Sequence, residues 1–321
     1  MKQRSDMSIG ELLSQMASSD KRLLIAAFVF AALYVVFEAC ALRCILKRAG
    51  YIRKPLNCLL YSTSDVYFSA ITPSATGGQP ASAFFMVKDG IPGGKVTATL
   101  LLNLIMYTVS AVVLGLASII IRPGSLDDFG TSSRILIVFG FVCLIFLTLL
   151  FLVLLKNVSF IFDPLVRLTG FLHKKKIFKN EEKILARLDK IKNDYESCAG
   201  IISGSKRVLL YAFIWNFLQR AAQIAVPALI YASLTEGFSG MTDIFLKQCL
   251  VTIGYNCIPI PGGMGVSDYL MIDAFKSVMG SEMAYVVEFI SRGITFYICV
   301  SVSGLITLAG YLAKYGGKVR K

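Results

Sequence analysis

The sequence predicts an all-α polytopic integral membrane protein with two inverted structural repeats, each containing a re-entrant helical hairpin broken by proline and glycine. Two compositional features predict the membrane class. Of the 321 residues, 55% are hydrophobic and 17% are charged, and the mean hydropathy is +0.67. A soluble domain has about 25% charged residues. The hairpins are predicted from two Pro-Gly clusters that interrupt apolar sequence at residues 70–85 and 256–270.

Five apolar runs are long enough to cross a bilayer, which takes about 20 residues in a helix. They are Leu23–Leu46, Val96–Ile121, Ile135–Leu155, Val208–Leu234 and Ala284–Leu312. The first run is too long for a cleavable signal peptide, and Glu38 and Arg43 lie too deep in it. We therefore expect all five runs to remain in the membrane.

The charge distribution predicts the orientation of these spans. The net charge is +13, and most of the excess lies in Lys47–Lys54, in Lys156–Arg207 and in the C-terminal tail. Under the positive-inside rule these basic segments are cytoplasmic, and residues 122–134 and 234–243 are external. Residues 56–93 and 244–280 must then each enter and leave the membrane on one side.

This topology divides the chain into five parts. They are an external N-terminal segment (1–22), a first transmembrane half (23–155) with the hairpin at 56–93, a basic cytoplasmic linker (156–207), a second transmembrane half (208–312) with the hairpin at 244–280, and a basic cytoplasmic tail (313–321). Within the linker, Glu181–Glu196 has apolar residues at helical spacing. It is either an amphipathic helix on the anionic inner leaflet or a solvated loop helix.

Several functional classes are disfavoured. The basic residues flank spans without interleaved aromatics, so nucleic-acid binding is not expected. The eight cysteines form no C-x-x-C motif, and there is one histidine, so neither a metal nor a cofactor is expected. The linker is smaller than a catalytic domain and lacks a nucleophile–base set. Its "GIISGSKR" lacks the glycine spacing of a P-loop, so enzymatic activity within this chain is not expected.

The two Pro-Gly clusters predict a binding site. Non-helical backbone at membrane depth is tolerated only inside protein or along a wet cavity. The helices that restart near Pro80 and Val266 would point N-terminal amides, which attract anions, into the membrane interior. We expect the glycines to permit positive φ and close approach. The alternative is two tight turns between short ordinary spans. The candidate residues are Thr72, Pro73, Gly77, Gly78, Gln79, Pro259, Pro261, Gly262, Gly263 and Gly265.

Ionisable and polar residues inside the spans extend the candidate site, because such groups are costly in a membrane. Asn216, Gln219, Arg220 and Gln223 form one helical stripe that indicates a cavity wall. Asn216, Gln219, Arg220, Asp268 and Arg292 are the further candidates for substrate binding, and Glu38, Asp268 and Glu288 for proton or charge coupling. An alternative is that Glu288 and Arg292, four residues apart, pair only with each other.

The segments "TPSATGGQPASAFFMVKDGIP" and "PIPGGMGVSDYLMIDAF" resemble the two signature segments of the lysylphosphatidylglycerol synthase transmembrane-region family. This family includes the flippase domain of the multiple peptide resistance factor and stand-alone bacterial relatives. The resemblance extends from about Ala31 to Gly310. Asp268 stands where the family usually has glutamate, and Arg292 where it tends to have a basic residue. Family members commonly have one more span before the segment that matches Leu23–Leu46.

The resemblance implies a lipid flippase or transporter in the bacterial plasma membrane. Its substrate would be an anionic-headgroup or aminoacylated phospholipid, or a polyprenyl-phosphate lipid, and its role would extend to antimicrobial peptide resistance. The partners implied are membrane phospholipid, inner-leaflet anionic lipids, a separate lipid-modifying synthase and a second copy of the chain. Two alternatives remain open. One is a membrane component of lysylphosphatidylglycerol synthesis that acts with a separate catalytic domain, and the other is a secondary transporter of a small anion.

Overall fold

The computed structural model describes residues 19–174, 181–235 and 237–315, and the regular elements in these ranges are all helical. The helices are α1 (Lys21–Arg48), α2 (Pro55–Ile71), α3 (Gly78–Lys88), α4 (Gly93–Ile121), α5 (Thr131–Lys156), α6 (Ser159–Lys174), α7 (Glu181–Ser203), α8 (Lys206–Leu234), α9 (Met241–Asn256), α10 (Val266–Arg292) and α11 (Cys299–Tyr315). A π-helical turn at Gly293–Ile298 joins the last two. The predicted parts 1–22 and 313–321 lie largely outside the described residues.

Four helical segments are long and apolar enough to cross a membrane: α1, α4, α5 and the continuous stretch Pro261–Tyr315. They contain four of the five predicted spans, and the prediction of an all-α, multi-pass membrane protein is confirmed. The fifth predicted span lies in α8, whose 29 residues extend about 43 Å. Its polar stripe makes it less apolar than the other four. Because α8 packs along α1 and buries that stripe, its polar side chains face protein instead of lipid.

The first broken segment lies between α2 and α3, which pack against each other. A short 3-10 turn, Pro73–Ala75, occupies the break. The 11 residues of α3 extend about 16 Å, against a hydrocarbon core of about 30 Å. This length favours a re-entrant hairpin over two complete crossings.

The second broken segment lies between α9 and α10, with a 3-10 turn at Pro261–Gly263. The chain turns again at Gly280, where φ is 77° and ψ is 167°, so that α10 consists of a short arm and the beginning of the long final helix. The 3-10 turns of the two broken segments contact each other, and the second also contacts α2. The inverted relation of the two halves stays a prediction.

The linker that was predicted to be cytoplasmic forms α6 and α7 in its described residues, and α7 packs against α4. The Tyr195 side chain is fully buried, and its hydroxyl donates to the Leu154 carbonyl at 2.9 Å. A Cβ atom at Gly94 would collide with the α7 backbone at Ile191 and Tyr195. The predicted helix at 181–196 is therefore held against the transmembrane bundle, and its contact with the inner leaflet stays a prediction.

A carboxylate at the end of the first hairpin holds the end of α11 in place. Asp89, just after α3, accepts hydrogen bonds from the Tyr61 hydroxyl, the Lys314 ammonium and the Tyr315 hydroxyl, each at 2.5 Å. Burial raises the pKa of Asp89, but the three hydrogen bonds outweigh burial and leave that pKa below its usual value. Asp89 thus links the first hairpin to the end of α11.

Asp273 of α10 stabilises the N-terminus of α5. Its Oδ2 atom accepts hydrogen bonds from the Gly130 amide at 2.8 Å and the Ser133 hydroxyl at 2.5 Å, and Oδ1 lies 2.6 Å from the Lys276 ammonium. The carboxylate therefore caps a helix that has no capping side chain of its own.

We expect Asp273→Ala to lower the stability of the purified protein, because it leaves the α5 N-terminus without its acceptor. A hydrogen bond to a charged group contributes about 1.5–3 kcal/mol. Thermal unfolding in detergent measures the effect. Asp127→Ala is the matched control, since that side chain is 77% exposed. Equal midpoints for both variants would contradict the capping role.

The predicted topology is tested by single cysteines on a cysteine-free background. Asp127 and Glu196 are both exposed, and the charge pattern places the first outside and the second inside. A membrane-impermeant maleimide is expected to label Asp127→Cys in intact cells and Glu196→Cys only after permeabilisation. The reverse pattern would invert the topology.

Candidate functional site

A cavity of about 430 Å³ lies where the two broken segments meet. Residues of α1, α2, α4, α5, α8, α9 and the final helix also line it. Thr76 and Gln79 contribute from the first break, and Gly262 and Gly263 from the second. The predicted cavity wall on α8 contributes Gln219, Arg220 and Gln223.

Arg220 supplies the cationic side of the cavity. Its side chain is 2% exposed, and its Cζ atom lies 3.6 Å from the centroid of the Tyr107 ring. Nη1 donates to Gln223 Oε1 at 2.8 Å. Among the residues described, neither Nε nor Nη2 has a hydrogen-bond partner. A buried guanidinium with unused donors is costly unless a ligand or water accepts from it.

Other polar atoms without partners surround Arg220. Within the described chain, Gln219 Oε1, Gln248 Oε1 and Asn256 Nδ2 are buried and make no hydrogen bond, and all three residues line the cavity. Buried polar groups in folded proteins are nearly always paired. Their concentration at this one place indicates a site for a polar ligand.

Two carboxyl groups, Glu38 of α1 and Asp65 of α2, supply the acidic side. Glu38 Oε2 accepts from the Ser62 hydroxyl at 3.0 Å and from Gln219 Nε2 at 3.3 Å. Asp65 accepts from the Ser69 hydroxyl at 2.9 Å and from Gln79 Nε2 at 2.8 Å. Through Gln79, the carboxyl of Asp65 holds the first turn of α3 against α2.

Arg292 connects the second break to the final helix. Its Nε atom lies 2.9 Å from Asp268 Oδ1, and Nη2 donates to the Gly262 carbonyl at 3.2 Å. Asp268 Oδ2 in turn accepts from the Gly265 amide at 3.0 Å, at the N-terminus of α10. A carboxylate therefore already interacts with the amides that were predicted to attract an anion at this end. Arg292 is positioned to tie the break to the long helix.

The glycines of the two breaks act differently. Gly262, Gly263 and Gly265 have φ values of 61°, 63° and 80°, as expected for glycine in the left-handed region. For the first break the expected positive φ was wrong, whereas the expected close approach is confirmed. Gly77 has a φ of −82° and Gly78 begins α3, while Ala75 has the positive φ of 54°.

Gly77 and Gly78 are instead required for close packing. A Cβ atom at Gly78 would collide with the side chains of Asp65 and Ser69, and one at Gly77 would lie 2.7 Å from Thr72 Cγ2. The Gly77 amide donates to Thr72 Oγ1 at 2.9 Å. The first break is thus closed by side-chain contacts across it.

The structure brings together part of the predicted site. The candidates that line the cavity are Glu38, Gln79, Gln219, Arg220, Gly262, Gly263 and Arg292. The candidates outside its lining are Thr72, Pro73, Gly77, Gly78, Asn216, Pro259, Pro261, Gly265, Asp268 and Glu288. Asn216 supports the site from behind, since its Nδ2 donates to Asn103 Oδ1 at 3.0 Å.

The sequence interpretation missed most of the other lining residues, among them Tyr34, Asp65, Asn103, Tyr107, Gln248 and Tyr255. Asp65 carried a usable signal, because it is an acid inside a segment predicted to enter the membrane. The tyrosines carried none, since an aromatic residue in an apolar helix is usually packing.

Comparison with known proteins identifies the family. The family model of the lysylphosphatidylglycerol synthase TM region matches residues 4–303. The chain is also similar to a protein of Archaeoglobus fulgidus named UPF0104 membrane protein, with 23% identity over 280 residues that cover 86% of this chain and 82% of that protein. The chain belongs to the lysylphosphatidylglycerol synthase transmembrane-region family, whose name associates it with membrane lipid.

Proposed function

We propose that the protein moves an amphiphile with an anionic, phosphate-bearing headgroup between the leaflets of a bacterial plasma membrane. The observation that carries this proposal is Arg220, a buried guanidinium that lines the cavity and has two donor nitrogens unused by the part of the chain that the structure describes. Arginine donors match the oxygens of a phosphate in geometry and charge. Membrane lipids carry phosphate groups and surround a membrane protein, so a lipid headgroup is the phosphate that this cavity would meet most often.

The shape of the cavity favours an amphiphile over a small soluble anion. Its volume of about 430 Å³ suits a headgroup, since small-molecule sites occupy roughly 300–1,000 Å³. On the α5 side the lining is apolar, with Leu144, Leu147 and Phe151. The outer face of α5 exposes further large apolar side chains, among them Phe146. We propose that acyl chains extend past α5 into the bilayer while the headgroup contacts Arg220.

An aminoacylated phospholipid is a second candidate, favoured by the carboxyls of Glu38 and Asp65. Its phosphate is complementary to Arg220, and its ammonium group is complementary to these two acids. The lysylphosphatidylglycerol in the family's name is a lipid of this kind. For this candidate we propose that a separate synthase attaches the amino acid to the lipid, and that this chain then moves the product.

The substrate class is tested with purified protein in liposomes. Fluorescent phosphatidylglycerol, lysylphosphatidylglycerol and phosphatidylcholine are each placed in the outer leaflet, and loss of dithionite-accessible signal reports movement to the inner one. We expect the first two lipids to move faster than the third. Equal rates for all three, or no movement above empty liposomes, would contradict a headgroup-selective flippase.

Arg220→Gln is expected to slow this movement by about 10- to 100-fold, because a charge-assisted contact contributes roughly 1.5–3 kcal/mol. Arg43→Gln is the matched control, since Arg43 lies on α1 with an exposed side chain. The thermal midpoint of Arg220→Gln is measured in parallel, so that loss of transport through unfolding is distinguished from loss of the headgroup contact. An unchanged rate would exclude Arg220 as the headgroup ligand.

Arg292→Ala is expected to behave differently and to lower the thermal midpoint together with transport. It removes the cation that contacts the Gly262 carbonyl and the Asp268 carboxylate, and loss of one member of a fully buried ion pair costs about 3–5 kcal/mol, which is the upper bound for this largely buried one. Arg292→Lys is expected to recover part of the loss, since it retains the charge but not the planar fork. If Arg292→Ala keeps the wild-type midpoint while transport is lost, Arg292 is a substrate ligand and not a structural tie.

A further inference from the structure

The cavity combines one uncommitted cation with two neighbouring acids. Among the lining residues described, Glu38 and Asp65 are the only carboxylic acids. The Ser62 hydroxyl donates to Glu38 at 3.0 Å, and Asp65 lies three residues after Ser62 on the same face of α2, so the two acids are neighbours across the contact between α1 and α2. Their side chains are 5% and 8% exposed. The other charged or titratable groups within their electrostatic reach are Tyr34 on α1, Arg220 on α8 and Cys299 at the start of α11, with Tyr255 on α9 facing Arg220.

The charge balance of this cluster disfavours two ionised acids at once. Arg220 is the one cation near the pair in this set, because Arg292 is engaged by Asp268. Two carboxylates side by side in a buried site repel each other, and such a pair commonly holds one proton between its members. An anion placed at Arg220 adds a further negative charge close by. The anion-bound cavity therefore favours one more proton on the acid pair than the anion-free cavity does.

The hydrogen bonds of the pair extend to the first break and to the polar stripe of α8. Asp65 accepts from Gln79 on the first turn of α3, and Glu38 accepts from Gln219, which precedes Arg220 on α8. A protonated carboxyl is a weaker acceptor and gains an O–H donor. Proton binding therefore alters the contact that holds the first break against α2 and the position of the stripe that carries Arg220.

We propose that the Glu38–Asp65 pair takes up one proton when an anion binds at Arg220, so that the protein moves its anionic lipid together with a proton. This inference rests on the proposed function and names its energy source. Because linkage is reciprocal, protons favour anion binding as much as the anion favours proton binding. For a lipid with one negative charge the complex of lipid and proton is neutral, and a pH gradient drives its movement.

The coupling is tested in liposomes of phosphatidylethanolamine and phosphatidylglycerol that contain short-chain fluorescent phosphatidylglycerol. With the lumen one pH unit above the outside, the labelled lipid is expected to accumulate in the inner leaflet. The limiting ratio is about tenfold, since one pH unit acts on one proton per lipid. A protonophore is expected to abolish the accumulation. Back-extraction by albumin measures the leaflet distribution.

The variants assign the coupling to the acid pair. The double variant Glu38→Gln/Asp65→Asn is expected to show no accumulation in response to the gradient, whereas Glu196→Gln, which changes an exposed acid of α7, accumulates lipid as the wild type does. If the wild type distributes the labelled lipid equally between the leaflets despite the pH gradient, proton coupling is wrong, but the proposed flippase function still stands. Absence of any transport would overturn the proposed function as well.

A binding measurement provides a second readout that does not depend on transport. Glycerophosphoglycerol is the headgroup of phosphatidylglycerol, and the charge of its phosphodiester does not change near neutral pH. Titration calorimetry in Tris and in MOPS, which differ in ionisation enthalpy, is expected to give about one proton taken up per molecule bound. Any binding retained by the double variant is expected to give the same enthalpy in both buffers. Equal wild-type enthalpies in the two buffers would contradict the proposal.

Discussion

The need to pair every backbone polar group inside hydrocarbon constrains this structure more than any other factor. Two segments of the chain break their helices within apolar sequence, and each break is closed by packing against protein. The two 3-10 turns contact each other. Charged side chains hold both in place, Asp65 through Gln79 at the first break and Arg292 through Gly262 at the second. The cavity is the space that remains between two breaks held in this way.

The position of α8 follows from the same constraint. A helix that carries Asn216, Gln219 and Arg220 on one face would be unstable in lipid, and here it packs along α1 and against α4. Its polar side chains reach Asn103 and Glu38 on those helices. Arg220 is the exception, because stacking on Tyr107 and one bond to Gln223 leave two of its donors unused. A buried guanidinium with unused donors destabilises the fold, so we attribute its presence to binding of a ligand.

The two arginines of the cavity illustrate how similar residues differ in role. Arg292 has an acid and a carbonyl within contact distance, both from the second break, so it connects elements of the fold. Arg220 contacts a ring and an amide, and among the described residues no carboxylate is hydrogen-bonded to it, so its charge is open to a ligand.

The sequence alone determined the features that depend on local chemistry. Apolar length predicted the spans, and Pro-Gly clusters predicted both breaks, because helix propensity and backbone restriction act over a few residues. Helical spacing also predicted the polar stripe on α8. The contacts between distant elements were decided only by the tertiary structure. Asp65 meets Glu38, Arg292 meets Asp268, and Gly78 owes its place to Asp65 instead of to a positive φ. Such pairs depend on how helices far apart in the chain pack, which no local pattern encodes.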